Sequence, residues 1–136
     1  MTHLWPIRVY YEDTDLAGIV YYANYLRFIE RARSEMVREA GIDQAAMKAE
    51  GLVFAIKKVE ADYLSPARYD DQIEVRTRMD HARAASFEMP QEIWRGDTCL
   101  FKSRVQVVVL DARGRLIRLP ADIRAKIETI TSEPAP

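Results

Sequence analysis

From Tyr22 to Ala40 the apolar residues Tyr22, Tyr25, Leu26, Ile29, Ala32, Met36, Val37 and Ala40 recur every three or four positions. That spacing puts them on one stripe of a single long helix. Arg27, Glu30, Arg31, Glu35, Arg38 and Glu39 fill the opposite face, with Arg31 and Glu35 one turn apart. Gly41 is placed to end the helix in a left-handed conformation. Asp43 reads as the cap of a short second helix that runs to Glu50 and closes at Gly51. After Gly51 the period falls to two. Ile73, Val75, Thr77 and Met79 alternate with Glu74, Arg76 and Arg78, the mark of a half-buried strand. Phe87, Met89, Gln91 and Ile93 continue the habit, and Pro90 predicts an edge strand or a bulge. Cys99 to Leu110 ends in four apolar residues, so this strand is expected at the centre of a sheet. Gly96-Asp97 and Asp111-Ala112-Arg113-Gly114 read as turns. A first strand covers Ile7 to Tyr11, a short strand Arg115 to Arg118, and a helical turn Pro120 to Ile127. Thr131 to Pro136 reads as a frayed tail.

A chain with one long helix and five or more strands cannot be doubly wound, because that architecture needs a helix between successive strands. The economical packing is α+β, with a curved antiparallel sheet laid around the helix stripe. At 136 residues the chain makes one domain, over residues 1–130, with a core but no room for a second. One helix covers only part of such a sheet, so the remaining apolar surface invites self-association.

Composition excludes several function classes. With 20 basic and 21 acidic side chains, no bulk field favours nucleic acid or an anionic membrane. Cys99 is the single cysteine, which rules out an internal disulfide and suits a reducing cytoplasm. The first residues lack the basic and apolar regions of a signal peptide. No apolar run approaches the roughly 18 residues of a membrane span. A cytoplasmic protein is therefore expected.

The junction between the first strand and the long helix carries the chemistry. Tyr11-Glu12-Asp13-Thr14-Asp15-Leu16-Ala17-Gly18-Ile19-Val20-Tyr21-Tyr22-Ala23-Asn24-Tyr25 passes two carboxylates and a glycine before entering the helix. A carboxylate is thereby delivered beside free backbone N–H groups and the positive end of the helix dipole. Such a place holds an anion, or a carbonyl oxygen that becomes anionic during reaction. On spacing alone Asp15 is an ordinary turn or cap aspartate. Asp13 reads as a structural residue that orients the turn, and Gly18 as a backbone position needing positive φ or close approach.

Written as D-x-D-x-x-G-[IV]-V-[YF]-[YHF]-x-x-Y at the start of a helix, the segment resembles the 4-hydroxybenzoyl-CoA thioesterase family of hotdog-fold acyl-CoA thioesterases. Within it, the branch encoded beside the bacterial Tol–Pal system is the most similar. The resemblance implies a hotdog fold and hydrolysis of an acyl-CoA or acyl-pantetheine thioester to free acid and thiol. It places Asp15 on the catalytic carboxylate and makes the Tyr22 backbone N–H the donor that polarises the carbonyl. Gly18, Val20 and Tyr25 complete the candidate substrate-binding set, although Asn24 and Tyr25 read more readily as helix-start and core residues. Tyr22 stands where the Tol–Pal branch often carries histidine and 4-hydroxybenzoyl-CoA enzymes carry tyrosine. Family members are homodimers or homotetramers with sites between subunits. An acyl carrier protein is a further conceivable partner.

The chemistry agrees with that expectation. A carboxylate at a thioester carbonyl can attack it, forming a mixed anhydride, or can take a proton from water. The leaving thiolate belongs to a thiol of pKa about 8.5 and departs with little proton donation. No metal or redox cofactor is needed. Other chemistries lack their residues. There is no G-x-S-x-G elbow, no G-x-G-x-x-G and no P-loop. His3, His81 and one cysteine make no metal constellation. Arg76, Arg78, His81, Arg83, Arg113, Arg115 and Arg118 are candidate phosphate contacts as a group, but each alone reads as a solvated charge. Glu60 and Asp62 alternate on one strand face, which reads as solvated. Two alternatives remain: a dedicated 4-hydroxybenzoyl-CoA thioesterase, and a non-catalytic hotdog module that binds an acyl carrier or a cell-envelope partner.

Overall fold

The computed structural model describes residues 2–131. In chain order it contains β1 (His3–Arg8), a 3-10 turn (Tyr11–Asp13), α1 (Asn24–Glu39), α2 (Gln44–Ala49), β2 (Val53–Tyr63) and β3 (Gln72–Thr77). There follow β4 (Ser86–Arg95), β5 (Thr98–Leu110), β6 (Leu116–Ile117) and α3 (Ala121–Thr129). The strands form one six-stranded sheet in the order β1-β3-β4-β5-β2, with β6 paired to β5 just past the end of β4. Every pairing is antiparallel. This is the expected α+β hotdog arrangement, a curved sheet around one long helix.

The helix begins two residues later than the apolar stripe does, at Asn24, and buries Tyr25, Phe28, Ile29, Ala32, Met36 and Val37. Phe28 rather than Leu26 completes the buried stripe, since Leu26 is 40% exposed. The C-terminus closes as anticipated. Gly41 takes φ +84° and donates to the Arg38 carbonyl, while Ile42 donates to Val37, satisfying carbonyls that the helix leaves free. Asp43 caps α2 by accepting from the Ala46 N–H at 3.1 Å.

Three strand expectations need correction. The first strand runs over His3–Arg8 and not Ile7–Tyr11, and Tyr11 opens the 3-10 turn. Pro90 lies in β4, an interior strand, and not at an edge or a bulge; the register slips three residues later, between Ile93 and Trp94. Proline is tolerated because β3 pairs with β4 only as far as Thr77–Gln91. Past that rung the segment after β3 donates to β4, Arg78 to the Pro90 carbonyl and Asp80 to the Glu88 carbonyl, so the ladder continues there without an N–H from Pro90. The eleven-residue β2 was visible from sequence only as the strand face of Glu60 and Asp62, without bounds, and its register slips between Ile56 and Lys58. That extra residue breaks the alternation on which a period-two reading depends. Glu60 and Asp62 on this strand are exposed, as expected of a solvated face. Strand β5 is central, between β4 and β2. Of the tail, only Thr131 lies within the described residues.

The core lies between α1 and the concave face of the sheet. Tyr25 stacks on Phe101 (centroids 5.3 Å, interplanar 10°). Gln91, fully buried, donates to the Ile29 carbonyl at 2.8 Å and to Thr77 Oγ1 at 3.0 Å. Along β2 the residues Phe54, Ile56, Val59, Ala61 and Tyr63 oppose Val109, Val107, Val105, Ser103 and Phe101, so they face the helix side. Helix α1 packs mainly on β1, β3 and β4 and meets β2 through the Tyr25 ring against Tyr63. Ile56, Val59 and Tyr63 are consequently 44%, 41% and 48% exposed.

Candidate active site

The strand-to-helix junction folds as a small ladder. The 3-10 turn is fixed by Asp13, whose Oδ2 accepts from the Tyr10 N–H at 2.8 Å; Asp13 therefore orients the turn, as read from its position. The Asp13 carbonyl then accepts from the Tyr21 N–H and from Asn24 Nδ2, both at 2.9 Å. Thr14 pairs with Val20, and Asp15 N–H donates to the Ile19 carbonyl at 3.0 Å. Between these rungs the chain reverses through Leu16 and Ala17, closed by Gly18 N–H donating to the Asp15 carbonyl at 2.9 Å. Gly18 has φ +79°, and a Cβ there would meet open space. Glycine is thus required by backbone conformation and not by crowding.

At the tip of this hairpin Asp15 is exposed. Its Oδ1 accepts from the Ala17 N–H at 2.9 Å, which pins the side chain, and Oδ2 takes no hydrogen bond among the described residues. On the helix side, α1 starts without a side-chain cap. The N–H groups of Tyr22 and Ala23 donate to no acceptor among the described residues. One carboxylate oxygen and two adjacent N–H groups are left uncommitted on the same short segment. The arrangement offers a nucleophile or base together with electropositive donors.

Val20 and Tyr25 form the floor. Val20 is 2% exposed and its N–H donates to the Ala67 carbonyl at 2.8 Å. Tyr25 is 3% exposed and its hydroxyl accepts from the Ala67 N–H at 2.9 Å. Both line a cleft of about 300 Å³ with Ile19, Tyr22, Tyr63 and Pro66. Burial raises the Tyr25 pKa, so the ring stays a neutral phenol. Tyr63 was not singled out from sequence. Its hydroxyl donates to the Tyr22 carbonyl at 2.9 Å, and its ring meets those of Tyr22, Tyr25 and Phe101. The available signal was an aromatic closing a strand just before Ser65-Pro66. The basic residues weighed as phosphate contacts are not gathered here. Arg76 pairs with Glu74, Arg115 with Asp111 and His81 with Glu128. No group of three or more metal-ligating side chains occurs among the described residues.

Fold and junction together define a hotdog enzyme with a carboxylate at a helix start. Residues 9–127 match the model of the thioesterase-like superfamily, and the chain belongs to that family; it is a thioester hydrolase. It is 44% identical over 108 residues to the acyl-CoA thioester hydrolase YbgC of Escherichia coli O6:H1, covering 79% of this chain and 81% of that one. It is 35% identical over 123 residues to the acyl-CoA thioesterase YbgC of Haemophilus influenzae, covering 89% and 90%. Among solved structures, a probable thioesterase from Bartonella henselae superposes with a TM-score of 0.83 at 34% identity, covering 88% of this chain and all of the other. No helix among the described residues is long and apolar enough to cross a membrane.

The Tyr25 hydroxyl yields a stability prediction. Tyr25→Phe leaves the Ala67 N–H without a partner and should cost about 1–3 kcal/mol. A raised folded-state pKa means stability is full below the unfolded tyrosine value of about 10 and is lost as pH rises through the folded one. Urea unfolding at about pH 8 and about pH 11 should therefore show a shallower alkaline loss in Tyr25→Phe than in the wild type. An equal loss would separate the alkaline effect from Tyr25.

Proposed function

We propose that the protein hydrolyses acyl-CoA, or an acyl group on the pantetheine arm of an acyl carrier protein, to free acid and thiol, without a metal or redox cofactor. The uncommitted Asp15 carboxylate oxygen, on the hairpin that leads directly into the unspent N–H groups of Tyr22 and Ala23, carries this reading. The thioester carbonyl docks on the Tyr22 N–H, which stabilises the charge that develops on oxygen. Asp15 attacks the carbonyl carbon or deprotonates a water that does so, and the thiolate leaves. Gly18 lets the hairpin that carries Asp15 reverse at positive φ, while Val20 and Tyr25 hold the floor of the cleft. The similarity to relatives named for acyl-CoA hydrolysis supports the substrate class. A panel of aliphatic and aromatic CoA esters tests it and separates a general acyl-CoA enzyme from a 4-hydroxybenzoyl-CoA one; absent turnover across the panel would favour a non-catalytic binding module.

Two substitutions divide the roles. Asp15→Asn keeps an oxygen for the Ala17 N–H but loses the charge, and should reduce kcat on the order of a thousandfold with the melting temperature preserved. Tyr22→Phe should remain within about tenfold in kcat/KM, since one peripheral hydrogen bond contributes roughly 0.5–1.5 kcal/mol. Tyr22→Pro deletes the donor and should fall much further. Steady-state kinetics with circular dichroism reads both. A Phe variant as inactive as Asp15→Asn would move the donor role to the phenol.

The same reading includes self-association through β2. That strand is a long unpaired edge, and Leu26, Ile56, Val59 and Tyr63 lie exposed along it or on the facing helix. A second copy paired at this edge buries both the open backbone groups and the apolar stripe. Light scattering at micromolar concentration should give a homodimer or a homotetramer, and Val59→Lys should shift it toward monomer. A wild-type monomer would contradict the assignment.

A further inference from the structure

The two N–H groups left free ahead of α1 belong to the Tyr21–Tyr22 and Tyr22–Ala23 peptide groups. The carbonyl at the other end of each is taken, by different means. The Tyr21 carbonyl accepts from the Asn24 N–H at 2.8 Å, within the turn that opens the helix. The Tyr22 carbonyl has no backbone donor among the described residues, because Leu26 donates to the Ala23 carbonyl at 3.2 Å instead. Its partner comes from β2, where the Tyr63 hydroxyl donates to it at 2.9 Å.

The Tyr63 side chain is held for this contact before any substrate arrives. Its ring meets those of Tyr25 and Phe101 edge-on, with centroids 5.3 and 5.1 Å apart, and that of Tyr22 at 6.3 Å. Tyr25 is itself tied to the Ala67 N–H, so the aromatic cluster has a fixed base. Burial lifts the Tyr63 pKa above the usual phenol value, with Tyr22 and Tyr25 acting in the same direction. The hydroxyl therefore remains a donor through the neutral range. Its acceptor is backbone, and donor and acceptor lie in one chain, so the bond forms whatever covers the edge of β2. A hydrogen bond to a peptide oxygen draws charge from the nitrogen and makes the N–H at the other end a stronger donor. Linked bonds strengthen one another in this way by about 10–30% each.

We propose that Tyr63 is a positioning residue for the thioester carbonyl. Its hydroxyl fixes and polarises the Tyr22–Ala23 peptide, so that the Ala23 N–H joins the Tyr22 N–H as a second donor to the oxygen that becomes anionic. This rests on the thioesterase reading and extends its carbonyl site from one backbone donor to two. The Tyr63 ring lines the cleft, while its hydroxyl is committed to the backbone and acts on the substrate only through Ala23. Such a donor gains most where charge develops on oxygen, so its effect falls on the transition state more than on substrate binding.

Tyr63→Phe tests this, since it keeps the ring and its contacts and removes only the hydroxyl. On acyl-CoA esters that the wild type turns over, kcat should fall about three- to tenfold with KM within about twofold. Melting temperature and the oligomer seen by light scattering should be unchanged. Backbone NMR supplies a readout independent of turnover: the Tyr22 carbonyl carbon and the Ala23 amide proton should both move upfield in the variant, and the Tyr22 amide proton less. A merely structural hydroxyl would lower the melting temperature and leave kcat of the folded variant intact, which overturns the proposal. A raised KM at unchanged kcat does so too, because it makes the hydroxyl a substrate contact. Unmoved Tyr22 and Ala23 resonances remove the polarised peptide. No turnover of any CoA ester by the wild type removes the thioesterase reading, and the proposal with it.

Discussion

The disparity in width between one helix and a five-strand path of sheet governs this molecule. A helix with its side chains is about 10–12 Å across, while neighbouring strands lie about 4.8 Å apart, so a single helix roofs two or three strands. Here α1 lies over β1, β3 and β4. The sheet needs its full width to bury β5, whose Leu100, Phe101, Val105 and Val109 are fully enclosed. The inner face of β2 is what remains. Its apolar residues Ile56, Val59 and Tyr63 form a wall that is shaped by the core and left partly exposed.

The placement of the helix start follows from the same packing. Tyr25 and Phe28 anchor the first turn of α1 against Phe101 and each other, and the connection between β2 and β3 is tied to that turn through Ala67. With the helix axis fixed by its buried stripe, the free N–H groups ahead of Asn24 are fixed as well. The Asp13–Tyr21, Thr14–Val20 and Asp15–Ile19 pairings then set where the carboxylate stands relative to them. Donors and carboxylate are thus referenced to one rigid segment, the kind of preorganisation that electrostatic catalysis requires. The turn that carries Asp15 can be short because Gly18 alone absorbs the reversal.

Residue patterns made visible those parts of the fold that depend on local rules. The α1 stripe, the Asp43 cap, the Gly41 and Gly51 closures and the alternation of β3 all follow from periodicity or capping within a few residues. Leu26 and Phe28 were exchanged because a wide apolar stripe does not say which of its margins the sheet will meet. Pro90 misled because its tolerance depends on how the segment after β3 pairs with it, and a bulge left β2 without bounds. In the candidate site, Asp15, Gly18 and Tyr22 were named from one contiguous motif. Tyr63 was not, because it acts through a contact 41 residues away in the chain. That partner could not be inferred without the strand register.

That division has a chemical counterpart. On the proposed reading, the contiguous motif carries the reaction, which any acyl thioester can undergo once its carbonyl reaches the helix start. Which acyl group is brought there then depends on walls drawn from the hairpin, α1, β2 and the segment after β2, so selectivity resides in long-range packing. The exposure of Asp15 in a single chain belongs to the same argument. A carboxylate attacks or deprotonates more effectively when water is displaced around it, and the hairpin supplies no roof of its own. On the proposed reading, a second subunit along β2 and the bound substrate displace water from the cleft at Tyr22, Tyr25 and Tyr63. The proposed substrate binding and assembly are then linked through the one strand of this path that α1 is too narrow to cover.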